Sequence, residues 1–302
     1  MVLLGDESCT AAIFVFEPHL CSRLQVAPQK VLLQEVSIVM ATPEGKEQTL
    51  HVGDNSLVVV QGGSGQPVLV LHEELGDPGW LRWHTQLAGS HKLMIPQHPG
   101  FGKSPQIKWI RNIRDLACFY SRFIQEQSLT PVDVIGFSLG GWVAAEMAVN
   151  NSRQFRHMVL VGATGIKPPS GEIADLFTVT ARNYLNSSVY DQKATAEFAE
   201  LYGGAHTPQQ FEAWEDARAE TSRIAWQPYM FNPSLPHLLE GVRDLPTLLI
   251  WGRHDRIVPL SAGEVYQKSI AGSELVVLER CGHRPEIEQQ AEFNQRVQKF
   301  LA

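Results

Sequence analysis

The stretch Gly136-Phe137-Ser138-Leu139-Gly140 lies between the apolar residues Val132, Val134 and Ile135 and a helical stretch at 142–149. Glycines two residues before and two after a serine permit a very sharp turn, because a larger side chain would collide with the neighbouring backbone. The pattern therefore predicts a strand, a tight turn and a helix, with Ser138 at the bend. The free N–H groups at the start of that helix would face any anion formed at the serine. Ser138 is thus a candidate nucleophile.

The partners that a nucleophilic serine needs occur downstream. A serine hydroxyl becomes reactive when an imidazole takes its proton and a carboxylate orients the imidazole. Asp255 follows the apolar run 247–251, and His283 follows the apolar run 274–278. Because the carboxyl ends of parallel strands meet at one edge of a sheet, we expect Ser138, Asp255 and His283 to come together there. The order serine, aspartate, histidine is typical of this strand-turn-helix nucleophile.

Further motifs resemble those of the α/β-hydrolase superfamily over roughly residues 48–302. They are Gly136-Phe137-Ser138-Leu139-Gly140-Gly141, Asp255 ahead of Pro259, Gly282-His283 before a last helix, and His98-Pro99-Gly100-Phe101-Gly102-Lys103-Ser104 after a strand. The resemblance implies an α/β fold with a mostly parallel central sheet, flanking helices and an inserted helical cap. The family usually has aspartate where this chain has Gln97, so we expect one loop-bracing interaction to be absent or replaced.

A larger departure from the family follows the strand at 68–71. The family's His-Gly oxyanion loop appears here as His72-Glu73-Glu74-Leu75-Gly76. Attack on a carbonyl places negative charge on its oxygen, and two backbone N–H groups normally receive that charge. Leu139 is expected to supply one of them, and by resemblance Glu74 supplies the other. A carboxylate beside an oxyanion is unfavourable, so we expect both glutamate side chains to project to solvent or to find partners.

The resemblance also divides the chain into regions. Residues 41–167 and 237–302 are predicted to form the hydrolase core. Residues 168–236, hereafter the insertion, are predicted to form a helical cap over the nucleophile. Residues 1–40 are predicted to be an extension outside the core, because the family-like pattern begins only near Gln48.

A substrate pocket is predicted between the core and the insertion. The insertion is rich in aromatic residues, some of which should line an apolar pocket although most should form its own core. The residues assigned to the pocket are His72, Phe137, Trp226 and Tyr229.

Composition narrows the function class. The chain has 302 residues, 44% of them hydrophobic, with 25 basic and 32 acidic residues and a net charge of −7. This balance disfavours nucleic acid as a partner. No apolar run approaches the ~20 residues of a membrane span. Four widely spaced cysteines do not predict a disulfide framework, and a cytoplasmic location is expected. The sequence predicts no cofactor and no metal site, and it leaves the oligomeric state open.

These observations predict a serine hydrolase that acts on a small-molecule substrate. We expect cleavage of a small to medium, largely apolar carboxylic ester through an acyl-enzyme. One alternative is a carbon–carbon bond hydrolase of ring-cleavage products, a group that resembles this chain in its Ser-Leu-Gly-Gly elbow but usually has more glycines in the oxyanion loop. The other is a ligand-binding receptor that keeps the triad and turns over slowly.

Overall fold

The structure is a computed structural model that describes residues 44–204 and 206–302. The predicted N-terminal extension, residues 1–40, lies outside this range. The strands are β1 Lys46–Val52, β2 Asn55–Gly62, β3 Gln66–Leu71, β4 His91–Pro96, β5 Val132–Phe137, β6 Phe155–Val161, β7 Thr247–Gly252 and β8 Glu274–Leu278. The helices are α1 Arg82–Leu87, α2 Ile113–Glu126, α3 Leu139–Asn150, α4 Ala181–Ser188, α5 Ala196–Tyr202, α6 Pro208–Ala225, α7 Leu235–Leu239, α8 Leu260–Ser269, α9 Pro285–Glu288 and α10 Gln290–Leu301.

All eight of these strands form one sheet in the order β1-β2-β4-β3-β5-β6-β7-β8. The β1–β2 and β2–β4 pairs are antiparallel, and every pair from β4–β3 to β7–β8 is parallel. β7 is buried along its whole length, which explains why its sequence is continuously apolar rather than alternating. The predicted α/β-hydrolase fold is confirmed.

Helices cover both faces of the sheet and create two apolar cores. One core contains residues of α2, α3 and α8, and the other contains residues of α1 and α10. With both faces covered, loops that bear function are left at the edges of the sheet. β3, β5, β7 and β8 run parallel, so the loops that follow them lie at one edge.

The insertion lies between β6 and β7, and its described residues, 168–204 and 206–236, add no strand to the sheet. It contains α4, α5 and α6, and α7 begins within its last residues. Across the described residues, no helix combines the length and the apolar character needed to cross a membrane.

Candidate active site

Ser138 occupies the sharp bend between β5 and α3. Its backbone has φ 46° and ψ −110°, a conformation that non-glycine residues rarely adopt. A Cβ added at Gly136 would lie 2.5 Å from the carbonyl oxygen of Gly140, and one added at Gly140 would lie 2.2 Å from that of Leu71. The two glycines therefore permit the close approach that the turn requires. Because Leu139 is the first residue of α3, its N–H has no acceptor within the helix.

Asp255 and His283 form a buried pair in the loops after β7 and β8. The Nδ1–H of His283 donates to Asp255 Oδ2 over 2.7 Å, and the two side chains are 2% and 0% exposed. The other carboxylate oxygen of Asp255 accepts from the backbone N–H groups of Ile257 and Val258, each over 2.8 Å. These bonds fix the carboxylate. Because Asp255 engages Nδ1 of His283, Nε2 is the nitrogen available to a nucleophile.

The sheet thus brings the three sequence-predicted catalytic residues to one edge. Gly162, after β6, packs beneath the pair, since a Cβ there would lie 2.8 Å from Nδ1 of His283. Ser138 is fully buried, and its hydroxyl makes no hydrogen bond to any residue that the structure describes. Nucleophile and base often approach more closely once substrate is bound. Full burial also means that a substrate can reach Ser138 only if the covering residues move.

The charge on His283 is set by its neighbours. Burial by itself lowers the pKa of the imidazole, but the charge of Asp255, the hydrogen bond to it and the charges of Glu74 and Glu73 outweigh burial and raise that pKa to about 9. The imidazolium that forms when His283 accepts a proton is therefore strongly stabilised. The same arrangement keeps His283 largely protonated, and therefore a poor base, at pH values below about 9.

His72, at the start of the oxyanion loop, has its ring nitrogens engaged by backbone groups. The N–H of His98 donates to Nε2 of His72 over 2.9 Å, so Nδ1 carries the proton and donates to the carbonyl of Glu73 over 2.7 Å. Burial lowers the pKa of His72 to about 4, which keeps the ring neutral. His72 therefore braces the loop through hydrogen bonds. A related brace involves Gln97, which accepts from the N–H of Lys103 over 2.8 Å and so replaces the expected aspartate interaction.

Glu73 pairs with a cation from the loop that carries the candidate base. Nη1 of Arg284 donates to Glu73 over 2.7 Å, and Nε donates to Glu286 over 2.6 Å. Burial and the charges of Glu74 and Glu286 raise the pKa of Glu73 to about 7, although Arg284 opposes this shift. The pair joins the oxyanion loop to the residue directly after His283.

The Glu74 side chain also points inward and contacts the insertion. It is fully buried, and one carboxylate oxygen accepts a hydrogen bond from the hydroxyl of Tyr184 in α4. The backbone carbonyl of Glu74 accepts from the hydroxyl of Thr221 in α6 over 2.8 Å. Glu73 and Glu74 were expected either to project to solvent or to find partners. Neither projects to solvent, and both side chains have partners.

The four predicted pocket residues lie in different surroundings. Phe137 and His72 line a cavity of about 30 Å³ together with Glu73 and Arg284, far smaller than the roughly 300–1,000 Å³ of pockets that bury drug-sized ligands. Trp226 and Tyr229 do not line this cavity.

Trp226 and Tyr229 instead belong to an aromatic cluster within the insertion. Both rings pack against Phe177 at centroid separations of 5.1 and 5.9 Å. Trp226 is 53% exposed. The hydroxyl of Tyr229 donates to the carbonyl of Ala174 and accepts from the N–H of Leu176. At these two positions the rings pack within the insertion, and their assignment to a substrate pocket stays a prediction.

Several residues around the site were not predicted from sequence. Arg284 adjoins His283 in the chain, and that adjacency was an available signal. Tyr184 and Thr221 reach Glu74 across 110 and 147 residues of sequence, so no local pattern could have paired them. The carbonyl of Ser188 accepts from the N–H of His283 over 2.6 Å. These two residues are also far apart in sequence, and no local motif links them.

Comparison with known proteins identifies the family. A family model described as "Alpha/beta hydrolase family" matches residues 68–296, and the chain belongs to this family. One relative is the 2-hydroxy-6-oxo-2,4-heptadienoate hydrolase of Pseudomonas putida, which is 27% identical over 257 residues and covers 80% of this chain and 90% of that protein. Another is the 2-hydroxymuconate semialdehyde hydrolase of a Pseudomonas species, which is 28% identical over 254 residues and covers 80% of this chain and 88% of that protein.

Solved structures show the same fold. A bacterial membrane phospholipase A superposes with a TM-score of 0.71 at 24% identity, covering 85% of this chain and 86% of that one. The 2-hydroxy-6-oxo-6-phenylhexa-2,4-dienoate hydrolase of a Rhodococcus species superposes with a TM-score of 0.69 at 22% identity, covering 86% of this chain and 99% of that one.

The names of the sequence relatives match the carbon–carbon hydrolase alternative. The expectation of carboxylic ester cleavage is therefore wrong.

Proposed function

We propose that this member of the alpha/beta hydrolase family hydrolyses a carbon–carbon bond in 2-hydroxy-6-oxo-2,4-dienoates. The observation that carries the proposal is the similarity to hydrolases named for such substrates, which extends over 80% of the chain. The geometry of Ser138, His283 and Asp255 supports it, since this arrangement suits acyl transfer to a serine. Geometry alone does not select the leaving group, because the same fold and triad serve many chemistries.

In the proposed reaction, Ser138 attacks the carbonyl carbon at position 6 of the substrate. The hydroxyl proton passes to Nε2 of His283, whose Nδ1–H is held by Asp255. The N–H groups of Leu139 and Glu74 receive the charge that develops on the carbonyl oxygen, and each such donor lowers a barrier by about 3 kcal/mol. The bond between carbons 5 and 6 then breaks, and the acyl group stays on Ser138.

The departing carbon atom needs both a sink for its electrons and a proton. If the 2-hydroxyl group first becomes a ketone by transfer of its proton to carbon 5, the conjugated carbonyl takes up the electron pair as the bond to carbon 6 breaks, and His283 returns its proton to the oxygen at carbon 2. Water, activated by the same imidazole, then hydrolyses the acyl-serine. For 2-hydroxy-6-oxo-2,4-heptadienoate the balance is one water consumed, with acetate and 2-hydroxypenta-2,4-dienoate as products.

The proposal is tested by steady-state turnover of 2-hydroxy-6-oxo-2,4-heptadienoate. We expect loss of the substrate's absorbance with stoichiometric formation of acetate and 2-hydroxypenta-2,4-dienoate, both identified by mass spectrometry. The matched control is Ser138→Ala, which should leave the substrate intact. Failure of the unmodified protein to consume this dienoate and its 6-phenyl homologue would overturn the proposal.

A further inference from the structure

One side chain beside the candidate nucleophile has an unused hydrogen-bonding atom. Oε2 of Glu74 is buried and has no partner among residues 44–204 and 206–302, whereas Oε1 accepts from Tyr184. Glu74 itself is fully buried. Buried polar atoms are nearly always hydrogen-bonded, and an unpaired carboxylate oxygen is among the most unfavourable exceptions. The atom needs a hydrogen-bond donor, and the described protein supplies none.

The location of Glu74 indicates where that donor would come from. Its carboxylate is close enough to His283 for its charge to raise the pKa of the imidazole. Two residues of the insertion hold Glu74 in place. Tyr184 donates to its carboxylate, and Thr221 donates to its backbone carbonyl. Glu74 is therefore held at the boundary between the core and the insertion, in a loop that approaches the nucleophile turn: a Cβ added at Gly140 would lie 2.7 Å from the carbonyl oxygen of His72.

We propose that Oε2 of Glu74 binds a hydroxyl group of the substrate, so that this residue selects substrates carrying a hydrogen-bond donor at carbon 2. This inference rests on the proposed function, which supplies the class of substrate. Glu74 then acts at two stages: its carboxylate accepts from the hydroxyl at carbon 2 when the substrate binds, before that hydroxyl becomes a ketone, and its backbone N–H faces the oxygen at carbon 6 during attack by Ser138. Tyr184 acts as a positioning residue, because its hydroxyl occupies Oε1 and leaves Oε2 for the ligand.

The dimensions of substrate and side chain are compatible. Four carbon–carbon bonds in an extended conjugated chain separate carbons 2 and 6 by about 5 Å. A glutamate side chain carries its carboxylate oxygens about 4–6 Å from its own backbone nitrogen. A carbonyl at the N–H of Glu74 therefore places the hydroxyl within reach of the same residue's carboxylate. A glycine at this position could not make the second contact.

The test measures binding to Ser138→Ala, so that the ligands are not consumed. The two ligands are 2-hydroxy-6-oxo-2,4-heptadienoate and its 2-deoxy analogue, and the method is isothermal titration calorimetry. A hydrogen bond to a charged group corresponds to roughly ten- to hundredfold in affinity. We expect the hydroxylated ligand to bind at least tenfold more tightly in Ser138→Ala and less than threefold more tightly in Ser138→Ala/Glu74→Gln.

The matched control is Ser138→Ala/Glu197→Gln. Glu197 also has a buried carboxylate oxygen without a partner in the described structure, but it lies in α5 and accepts from the backbone of Arg82. This variant should keep the tenfold preference. Equal preference in the Glu74 and Glu197 variants overturns the inference, as does absence of any preference in Ser138→Ala.

Failure of the proposed function gives a different result. In that case the unmodified protein does not cleave the dienoate, whatever the binding ratio is. Cleavage without a hydroxyl preference overturns only the role of Glu74, and so does binding of neither ligand to Ser138→Ala when the unmodified protein still cleaves the dienoate.

Discussion

The strand-end loops and the insertion contribute to the same site by different means. In the strand-end loops, backbone geometry positions each candidate catalytic group: Asp255 is held by two backbone N–H groups, and Ser138 by a strained turn that two glycines permit. In the insertion, individual side chains such as Tyr184 and Thr221 reach into the site from α4 and α6. The reacting groups thus depend on the sheet, whereas their surroundings depend on contacts between residues far apart in sequence.

This difference predicts two kinds of mutant. Changes at the strand ends should remove the chemistry while the protein stays folded, because the backbone that holds each loop is unchanged. Changes where the insertion meets the core should instead alter stability, pH dependence or binding.

The largest effect is expected for Ser138→Ala. Removal of a serine nucleophile lowers turnover by on the order of 10⁵ to 10⁶. Dienoate turnover and labelling by a fluorophosphonate probe should both be lost, and the melting temperature should stay close to that of the unmodified protein. Labelling that persists in Ser138→Ala would identify another nucleophile and remove the proposed role of the β5–α3 turn.

Asp255→Asn should have the second largest effect. The amide oxygen can still accept from the N–H groups of Ile257 and Val258, so the loop keeps its shape. The neutral amide, however, no longer fixes the tautomer of His283 or stabilises its positive charge, and comparable changes lower turnover by about 10³ to 10⁴. Turnover is measured at saturating dienoate. A loss below tenfold would assign the orienting role to another acid.

Local patterns carry most of what can be predicted about the core. Glycine spacing around Ser138 and apolar runs ahead of Asp255 and His283 depend on residues close in sequence, and the parallel sheet then brings the three loops together. Backbone conformation and side-chain period are local properties, so a single sequence records them.

The partners of the two glutamates could not be predicted in the same way. The sequence indicates that Glu73 stands where the family's loop has glycine and that a second glutamate, Glu74, follows it, but it does not say what neutralises them. Arg284 is 211 residues away from Glu73, and which of 25 basic residues fills that role depends on tertiary packing. The same limit applies to Trp226, since an amphipathic aromatic pattern does not distinguish a pocket wall from the outer surface of a helical layer.

Arg284→Met tests the contact between the oxyanion loop and the base loop. Removing the cation leaves Glu73 and Glu286 buried without their partner, which costs about 3–5 kcal/mol of unfolding free energy. The measurement is urea denaturation at pH 8. The loss should shrink as the pH falls, because protonated Glu73 no longer needs a cation.

The control for this prediction is Arg296→Met. Arg296 pairs with Glu292 on the surface, and both side chains are more than 40% exposed, so its removal should cost less than about 1 kcal/mol. Equal losses in the two variants would mean that the buried pair contributes no more than a surface pair.

Glu73→Gln should shift the pH dependence of kcat/KM, and this effect should be smaller than those of the preceding variants. His283 can act as a base only when neutral, and neighbouring carboxylates, including Glu73, help to raise its pKa to about 9. Loss of one negative charge lowers that pKa, so the acidic limb of kcat/KM should move to lower pH by about half a unit to one unit. Activity near neutral pH should rise three- to tenfold. Glu197→Gln should leave the limb in place, and a shift to higher pH in Glu73→Gln would contradict the proposed electrostatic role.

The smallest effect is expected for Trp226→Ala. The ring is 53% exposed and packs against Phe177 and Tyr229, so truncation should cost about 1–2 kcal/mol of stability through lost burial. Because Trp226 lies outside the cavity beside Phe137, kcat/KM for the dienoate should change less than threefold. Tyr184→Phe, which removes the hydroxyl that donates a hydrogen bond to Glu74, should raise KM more strongly although it deletes a single oxygen atom. If Trp226→Ala instead raises KM tenfold with the protein folded, the ring contacts substrate in a conformation opened by movement of the insertion, and the outer aromatic cluster belongs to the binding site.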